Sequence, residues 1–348
     1  IDAGSAVLGS LNIAGVRLTI REGRVEGRSN DIDAGSVALA KTSSLPSGGN
    51  LQDVKIAKPV FVLEPSGRYR ASADMSLGGG VIGSVPLGAA NAQVVVNNDG
   101  AELSSLNAKV MEGSVTGSAT IAFNNRTRSV INADFNNLDL GKIAALQSGR
   151  VMPLEGSASG RVDLSLAGTD YRTTSGTINA TIRAAAGRDG TNKIPVNGLV
   201  NLSATNGLFN VDQARLKTAS SELNATGRFD LRSDDSNLNV ALRSTDAGEI
   251  LNIARITGLS QEFESQIESM QVAAAGNLTF DGTITGNLAD PTIEGKAALA
   301  SISLRGRDLG TLAADVSRSP LETAFRNGRL RQADGGLVAF NVTIPSIG

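Results

Sequence analysis

The sequence predicts an all-β fold, built as a long antiparallel meander with short helical insertions. Three observations predict it. Apolar and polar residues alternate with period two along most of the chain, as they do in strands with one apolar and one polar face. Clusters of Asn, Asp and Gly recur between the alternating runs, and such pairs favour tight hairpins. The 348 residues include 40 Gly, roughly one in nine, close to the interval of one strand plus one turn.

The elements follow in chain order. Gly78-Gly79-Gly80-Val81-Ile82-Gly83 predicts a flexible inter-strand loop. Asn97-Asn98-Asp99-Gly100 and Asn124-Asn125 mark turns. Ile131, Ala133 and Phe135 alternate with polar residues and predict a strand. Leu138, Leu140, Ile143, Ala144 and Leu146 fit a short amphipathic helix. Val162, Leu164 and Leu166 predict the next strand, and Ile178, Ala180 and Ile182 another. Gly187-Arg188-Asp189-Gly190 and Asn206-Gly207 are turns. Leu238, Val240 and Leu242 form a further alternating run. Asp246 caps a helix over Ala247–Ile256, with Ile250, Leu251 and Ile253 facing inward. Ser260 caps a second helix carrying Phe263, Ile267 and Met270. Asp281-Gly282 is read as a turn, Ile302 and Leu304 as strand, and Asp334-Gly335-Gly336 as the last turn. Glu112-Gly113-Ser114-Val115-Thr116-Gly117 recurs as Glu155-Gly156-Ser157-Ala158-Ser159-Gly160. The spacing is irregular, so the theme is reiterated without a strict repeat. About twenty to twenty-six strands are expected.

Composition excludes much chemistry. The chain has no His, Cys or Trp, so a Ser-His-Asp triad, a thiolate nucleophile, a disulfide and a His- or Cys-ligated metal are all excluded. Thirty-two basic residues face 34 acidic ones, and without a basic excess nucleic acid is not an expected partner. No cofactor, metal site or catalytic residue is predicted, and the protein is not expected to be an enzyme. No apolar run exceeds four residues, so no helix is expected to span a bilayer. The chain starts at Ile1 without a signal-peptide pattern, so any anchor or targeting signal is expected outside it.

A sheet of this length curls, splits or closes. Its apolar face either packs on itself as sandwiches or lines a trough. Aromatic residues make up only 3% of the chain. A trough of Val, Leu, Ile and Ala would be smooth enough for acyl chains, each buried CH₂ gaining about 0.8 kcal/mol.

Gly286-Asn287-Leu288-Ala289-Asp290-Pro291-Thr292-Ile293-Glu294-Gly295 lies between the strands Leu278-Thr279-Phe280 and Ala298–Leu304. Together with Arg307-Asp308-Leu309-Gly310-Thr311-Leu312, Asn327-Gly328-Arg329-Leu330 and Asp334-Gly335-Gly336, this cadence resembles the translocation and assembly module (TamB) proteins. These belong to the AsmA-like, bridge-like lipid-transfer group. Leu138-Asp139-Leu140 and Ser244-Thr245-Asp246 resemble that family's helical connectors. The resemblance implies an antiparallel sheet curled into an elongated open groove, a β-taco. It divides the chain into a groove over 1–243, a helical insertion over 244–270 and a continuing groove over 271–348. It implies a periplasmic location, with an inner-membrane anchor supplied by a segment absent here. The implied role is phospholipid transport or outer-membrane assembly. The implied partners are phospholipid acyl chains, both membranes through segments outside this chain, and an outer-membrane assembly protein. With it, the expected groove lining is Ile131, Phe135, Val162, Leu164, Leu166, Ile178, Ile182, Leu238, Val240, Leu242, Ile302 and Leu304.

Other motifs have plainer readings. Gly78–Gly83 matches G-x-G-x-x-G, but Ser84-Val85-Pro86 follows in place of the helix that a dinucleotide site needs. Asp31 with Asp33, and Asp234 with Asp235, sit in Ser/Asn-rich stretches that read as solvated turns. The rival function is an extracellular β-helical adhesin or structural passenger, which would show regular parallel rungs. A carbohydrate-active enzyme with paired carboxylates is the remaining alternative, with few aromatics for sugar stacking.

Overall fold

A computed structural model describes residues 5–8, 11–14, 17–39, 41, 48–148, 153–184, 193–230, 233, 235–257, 271–288 and 291–345. The predicted helix after Ser260, Asp234 and the turn at 187–190 lie outside these residues. The described chain is all-β, with 25 strands and two short helices. In order these are β1 (Ser5–Leu8), β2 (Leu11–Ala14), β3 (Arg17–Arg21), β4 (Arg24–Arg28), β5 (Ile32–Leu39), β6 (Gly49–Leu63), β7 (Tyr69–Leu77), β8 (Gly79–Ile82), β9 (Val85–Asn97), β10 (Gly100–Val110), β11 (Gly113–Ala122) and β12 (Arg128–Asp139). Helix α1 (Leu140–Ser148) follows, then β13 (Leu154–Glu155), β14 (Ser157–Ala167), β15 (Asp170–Arg183), β16 (Ile194–Pro195), β17 (Asn197–Thr205), β18 (Leu208–Lys217), β19 (Ser221–Asp230) and β20 (Asp235–Ser244). Helix α2 (Ala247–Thr257) precedes β21 (Val272–Thr285), β22 (Thr292–Leu304), β23 (Arg307–Arg318), β24 (Glu322–Arg331) and β25 (Leu337–Pro345).

The chain forms two compact units. The first holds Ile1–Asp139, Ala158–Ile178 and Thr205–Gly207, and the second holds Leu140–Ser157, Asn179–Ala204 and Leu208–Gly348. In the first unit β9, β10, β11 and β12 pair in sequence order, each antiparallel to the next. In the second, β18 through β25 do the same. The long antiparallel meander of the sequence analysis is therefore found. Parallel rungs, the mark of the β-helical alternative, are not its basis. The one parallel ladder among the described pairings joins the two-residue strands β13 and β16.

Strand β6 shows how the rows are interrupted. On one side it pairs with β4 near Val60–Leu63 and with β5 near Gly49–Ile56. On the other it pairs with β7 near Lys55–Leu63 and with β8 near Gly49–Gln52. Strand β9 pairs with the same β7 and β8. The pairings of β6, β7, β9 and β8 thus close on themselves as a four-strand ring. The registers place β7 and β8 end to end between the same two neighbours. The break falls at Gly78, whose N–H donates to Gln52 O at 2.9 Å. It faces Asp53, and Asp53 and Lys58 have φ of 52° and 50°. Bulges of this kind add a residue to one strand and deepen the local bend. Gly79–Ile82 is accordingly strand, a correction to the loop expected there. Asp281-Gly282 is likewise no turn. Both residues lie inside β21, paired with Lys296 and Gly295.

The other described turns fall where expected. Asn206 and Gly207 have φ of 49° and 82°, the left-handed pair that a two-residue hairpin requires. Asp246 caps α2, its Oδ1 accepting from Gly248 N at 2.9 Å. Within α2, Ile250, Leu251 and Ile253 are half-buried while Asn252 is exposed. Helix α1 covers the predicted Leu140–Leu146, but Leu138 belongs to β12.

Candidate functional site

Strand alternation builds one apolar face in each unit. In the first unit the register aligns Phe61, Ala71, Val96, Ala101 and Ile121 across five strands. The neighbouring row is Ala73, Val94, Leu103, Ala119 and Ile131. The next face positions on β12 are Ala133 and Phe135, each 8% exposed. No ionisable side chain interrupts these rows. The opposite face carries Arg70, Asp74, Gln93, Glu102, Thr120 and Asn132.

A cavity of about 600 Å³ opens on this face. Its walls include Leu18 of β3, Ile56 and Phe61 of β6, Ala71, Ala73 and Met75 of β7, and Val94 and Val96 of β9. Arg28 and Ser29 stand among the lining where β4 ends. Leu18 to Val96 crosses four inter-strand steps, roughly 19 Å at 4.8 Å per step. Two side chains on the same face are open to solvent, Phe61 at 39% and Ile20 at 55%.

The expected lining residues take these places. Ile131 and Phe135 lie in the first unit opposite Ala119 and Val115. Val162, Leu164 and Leu166 of β14 and Ile178 of β15 are half-buried there. In the second unit Ile182 is 6% exposed. Leu238, Val240 and Leu242 stand between Gly227, Ala225 and Leu223 on one side and Ile284, Gly282 and Phe280 on the other. Ile302 and Leu304 pair with Ala274 and Val272. None of the twelve lines the 600 Å³ cavity. The signal for its walls was present in Val60-Phe61-Val62-Leu63, in the alternation Ala71, Ala73, Met75, and in Val94-Val95-Val96. What the sequence hid is the bulge at Lys58, which changes which residues of β6 share a face.

Buried hydroxyls bound the apolar rows. On β20 the face reads Ser236, Leu238, Val240, Leu242, Ser244, with the two serines 4% and 5% exposed. Ser236 Oγ donates to Gly286 O at 2.6 Å. Ser244 Oγ lies 2.9 Å from Ser221 Oγ and donates to Asp246 O at 2.8 Å. On β12 the row ends at Ser129, 1% exposed, which accepts from Ala122 N at 2.9 Å and donates to Gly168 O.

Around Ser221 and Ser244 the second unit has a polar recess of about 510 Å³. Its charges are paired. Arg243 donates twice to Asp281, at 2.7 and 2.9 Å. Glu222 accepts from Arg215 at 2.6 Å and from Lys217 at 2.9 Å. Hydrogen bonds from Arg215, Lys217 and Asn224 hold its carboxyl down at about 2. Glu249 of α2 accepts from Thr218 Oγ1 at 2.8 Å and from Ser221 Oγ, fastening the helix to the β18–β19 hairpin. Of the three Asp candidates that are described, Asp235 opens β20 opposite Asp230 and is strand, not turn, and the other two are structural. Asp31 Oδ1 accepts from Lys58 N at 2.9 Å, and Asp33 Oδ1 from Gly35 N at 3.0 Å.

Among the described residues, no three Asp or Glu side chains gather as a metal site, and no helix is long and apolar enough to cross a membrane. Comparison with protein-family models, with curated proteins and with solved structures finds no match to this chain.

Proposed function

We propose that this chain is a non-enzymatic lipid conduit, in which phospholipid acyl chains lie along an elongated groove formed by the apolar sheet face. The observation that carries the reading is the unbroken apolar row structure with its cavity. Leu18, Ile56, Ala73, Met75 and Val94 leave about 600 Å³ unfilled. Packed cores contain few voids larger than a water molecule. The roughly 19 Å crossed by the walls is about the extended length of a sixteen-carbon chain. Each CH₂ placed there gains about 0.8 kcal/mol. A lipid needs no bond made or broken, which agrees with carboxylates engaged in turns and ion pairs. A periplasmic location between two membranes, with anchoring and assembly partners outside this chain, belongs to the same proposal.

The test is lipid extraction and mass spectrometry of the purified chain, with Leu164→Asp and Ala73→Asp alongside. Both positions are half-buried on strands, so the variants are expected to keep the native far-UV circular dichroism and to lose bound phospholipid. Protein that carries no phospholipid, with variants that only unfold, would turn the face into an ordinary closed core.

A further inference from the structure

The hairpin tips of the first unit meet along one rim, tied tip to tip by hydrogen bonds. Gly23 of the β3–β4 turn packs beside Pro65 of the β6–β7 turn. Tyr69 N donates to Asn98 Oδ1 at 2.8 Å, and Phe123 N to Asp99 O at 2.9 Å. Gly168 N donates to Thr127 O at 3.0 Å, and Gly207 N to Thr174 O at 2.8 Å. The chain has only two Tyr, Tyr69 and Tyr171, and both lie on this rim. Phe123 joins them, exposed at 56%, with Tyr171 at 41%. An arginine accompanies each ring. Tyr69 stands between Arg68 and Arg70, Arg126 follows Phe123 in the same turn, and the Arg172 guanidinium lies 5.7 Å from the Tyr171 ring centre. Arg68, Arg70 and Arg126 are exposed and have no carboxylate partner among the described residues. The opposite rim differs. Its turns at Gly83-Ser84 and Met111-Glu112 hold neither an aromatic residue nor an arginine.

We infer that this rim docks on an anionic phospholipid bilayer, with Phe123 and Tyr171 entering the headgroup layer and the arginines meeting lipid phosphates. Amphipathic rings gather at membrane interfaces, where one end is apolar and the other wet. Each Arg or Lys near an anionic leaflet is worth roughly fivefold in partitioning. The chain as a whole has net charge −2, but on these tips and their flanks the arginines outnumber the four carboxylates Glu22, Glu64, Asp99 and Asp170, so the rim carries a local cationic excess. A protein partner fits less well. A stable protein contact covers about 800 Å² per side, whereas two half-exposed rings on a line of turns offer on the order of 200 Å². A bilayer accepts isolated side chains one at a time. Phe123, Tyr171 and the arginines take no part in the lining of the 600 Å³ cavity, so the site stands or falls separately from the conduit reading.

The absence of Trp from this chain makes the test direct. Phe123→Trp and, independently, Tyr171→Trp each install a single indole at a tip. Each protein is titrated with vesicles of phosphatidylcholine and phosphatidylglycerol in equal parts, and with pure phosphatidylcholine. The expected result is a blue shift of the indole emission, and quenching by bilayer-embedded bromolipid, with the anionic vesicles only. Adding Arg68→Glu and Arg126→Glu should lower partitioning at least tenfold, while Lys109→Glu, the same charge reversal at an exposed position beside the opposite rim, leaves it unchanged. The inference is overturned if both indoles stay water-exposed when vesicles are present. It is also overturned if soluble polyglutamate competes as well as vesicles do without any blue shift, which would indicate an acidic protein partner.

Discussion

Ser129 shows how much one hydroxyl can carry in an apolar sheet. At 1% exposure it bridges Ala122 N of β11 and Gly168 O of the β14–β15 turn. One side chain thus serves two backbone groups on separate segments. Ser129→Ala fits the same volume but leaves a buried donor and a buried acceptor unpaired, at a cost of about 1–3 kcal/mol. Urea unfolding followed by circular dichroism measures it, and a change below about 0.5 kcal/mol would mean that water or a backbone shift replaces the hydroxyl. This role was not legible in the sequence. Ser and Thr at alternate positions read as a water-facing row, because period two says which residues share a face but not where a row ends. Ser129, Ser236 and Ser244 lie on the apolar face, at its margins, where strands hand their hydrogen bonds to turns. Glu222 is the polar counterpart. Arg215, Lys217 and Asn224 were too far apart in sequence pattern to announce a carboxyl held at about 2.

At the scale of the element, the readable features were those set by local chemistry. Asn206-Gly207 made its hairpin, Asp246 capped its helix, and the alternation through Leu238, Val240 and Leu242 gave β20. The errors came where a local signal met a long-range partner. Asp281-Gly282 has turn composition, yet β20 on one side and β22 on the other hold it extended. Gly282 serves there as a space. The Phe280 ring folds over Gly282 and the facing Gly295, and a Cβ on either glycine would lie 2.6 Å from Phe280 Cζ. A Cβ on Gly295 would also lie 2.5 Å from Asp281 O, which is backbone and cannot swing aside. An aromatic ring laid over a cross-strand glycine recovers the packing that the missing side chain forgoes. Gly295→Ala should therefore destabilise the second unit by about 1–3 kcal/mol through overpacking. Thermal unfolding of the single variant and of Phe280→Leu/Gly295→Ala checks this. The double variant should be less destabilised than the sum of its parts, and strict additivity would show that the ring does not occupy that space.

For the whole molecule, the all-β class and the antiparallel order were legible because both follow from short-range periodicity and turn chemistry. The division into two units was not, since no linker, charge run or change of composition marks it; it cuts across strands such as β15, at Ile178 and Asn179. Whether the apolar face is filled or left open was equally hidden, because a filled core and a lipid-bearing face use the same alternation. The antiparallel order itself has a consequence for stability. From β9 to β12 and from β18 to β25 each strand pairs with its neighbours in sequence, so cooperativity is carried from strand to strand and not by one central core. Assemblies of that kind lose all-or-none unfolding when one part is weakened. Ala324 of β24 is 0% exposed, and Ala324→Asp buries an unpaired carboxylate there, at a cost of several kcal/mol or a forced protonation. Hydrogen exchange read by mass spectrometry should then show amide protection lost across β22–β25 while β9–β11 keep theirs. A uniform loss in both places would instead make the chain a single cooperative unit, with its stability held in common by every strand.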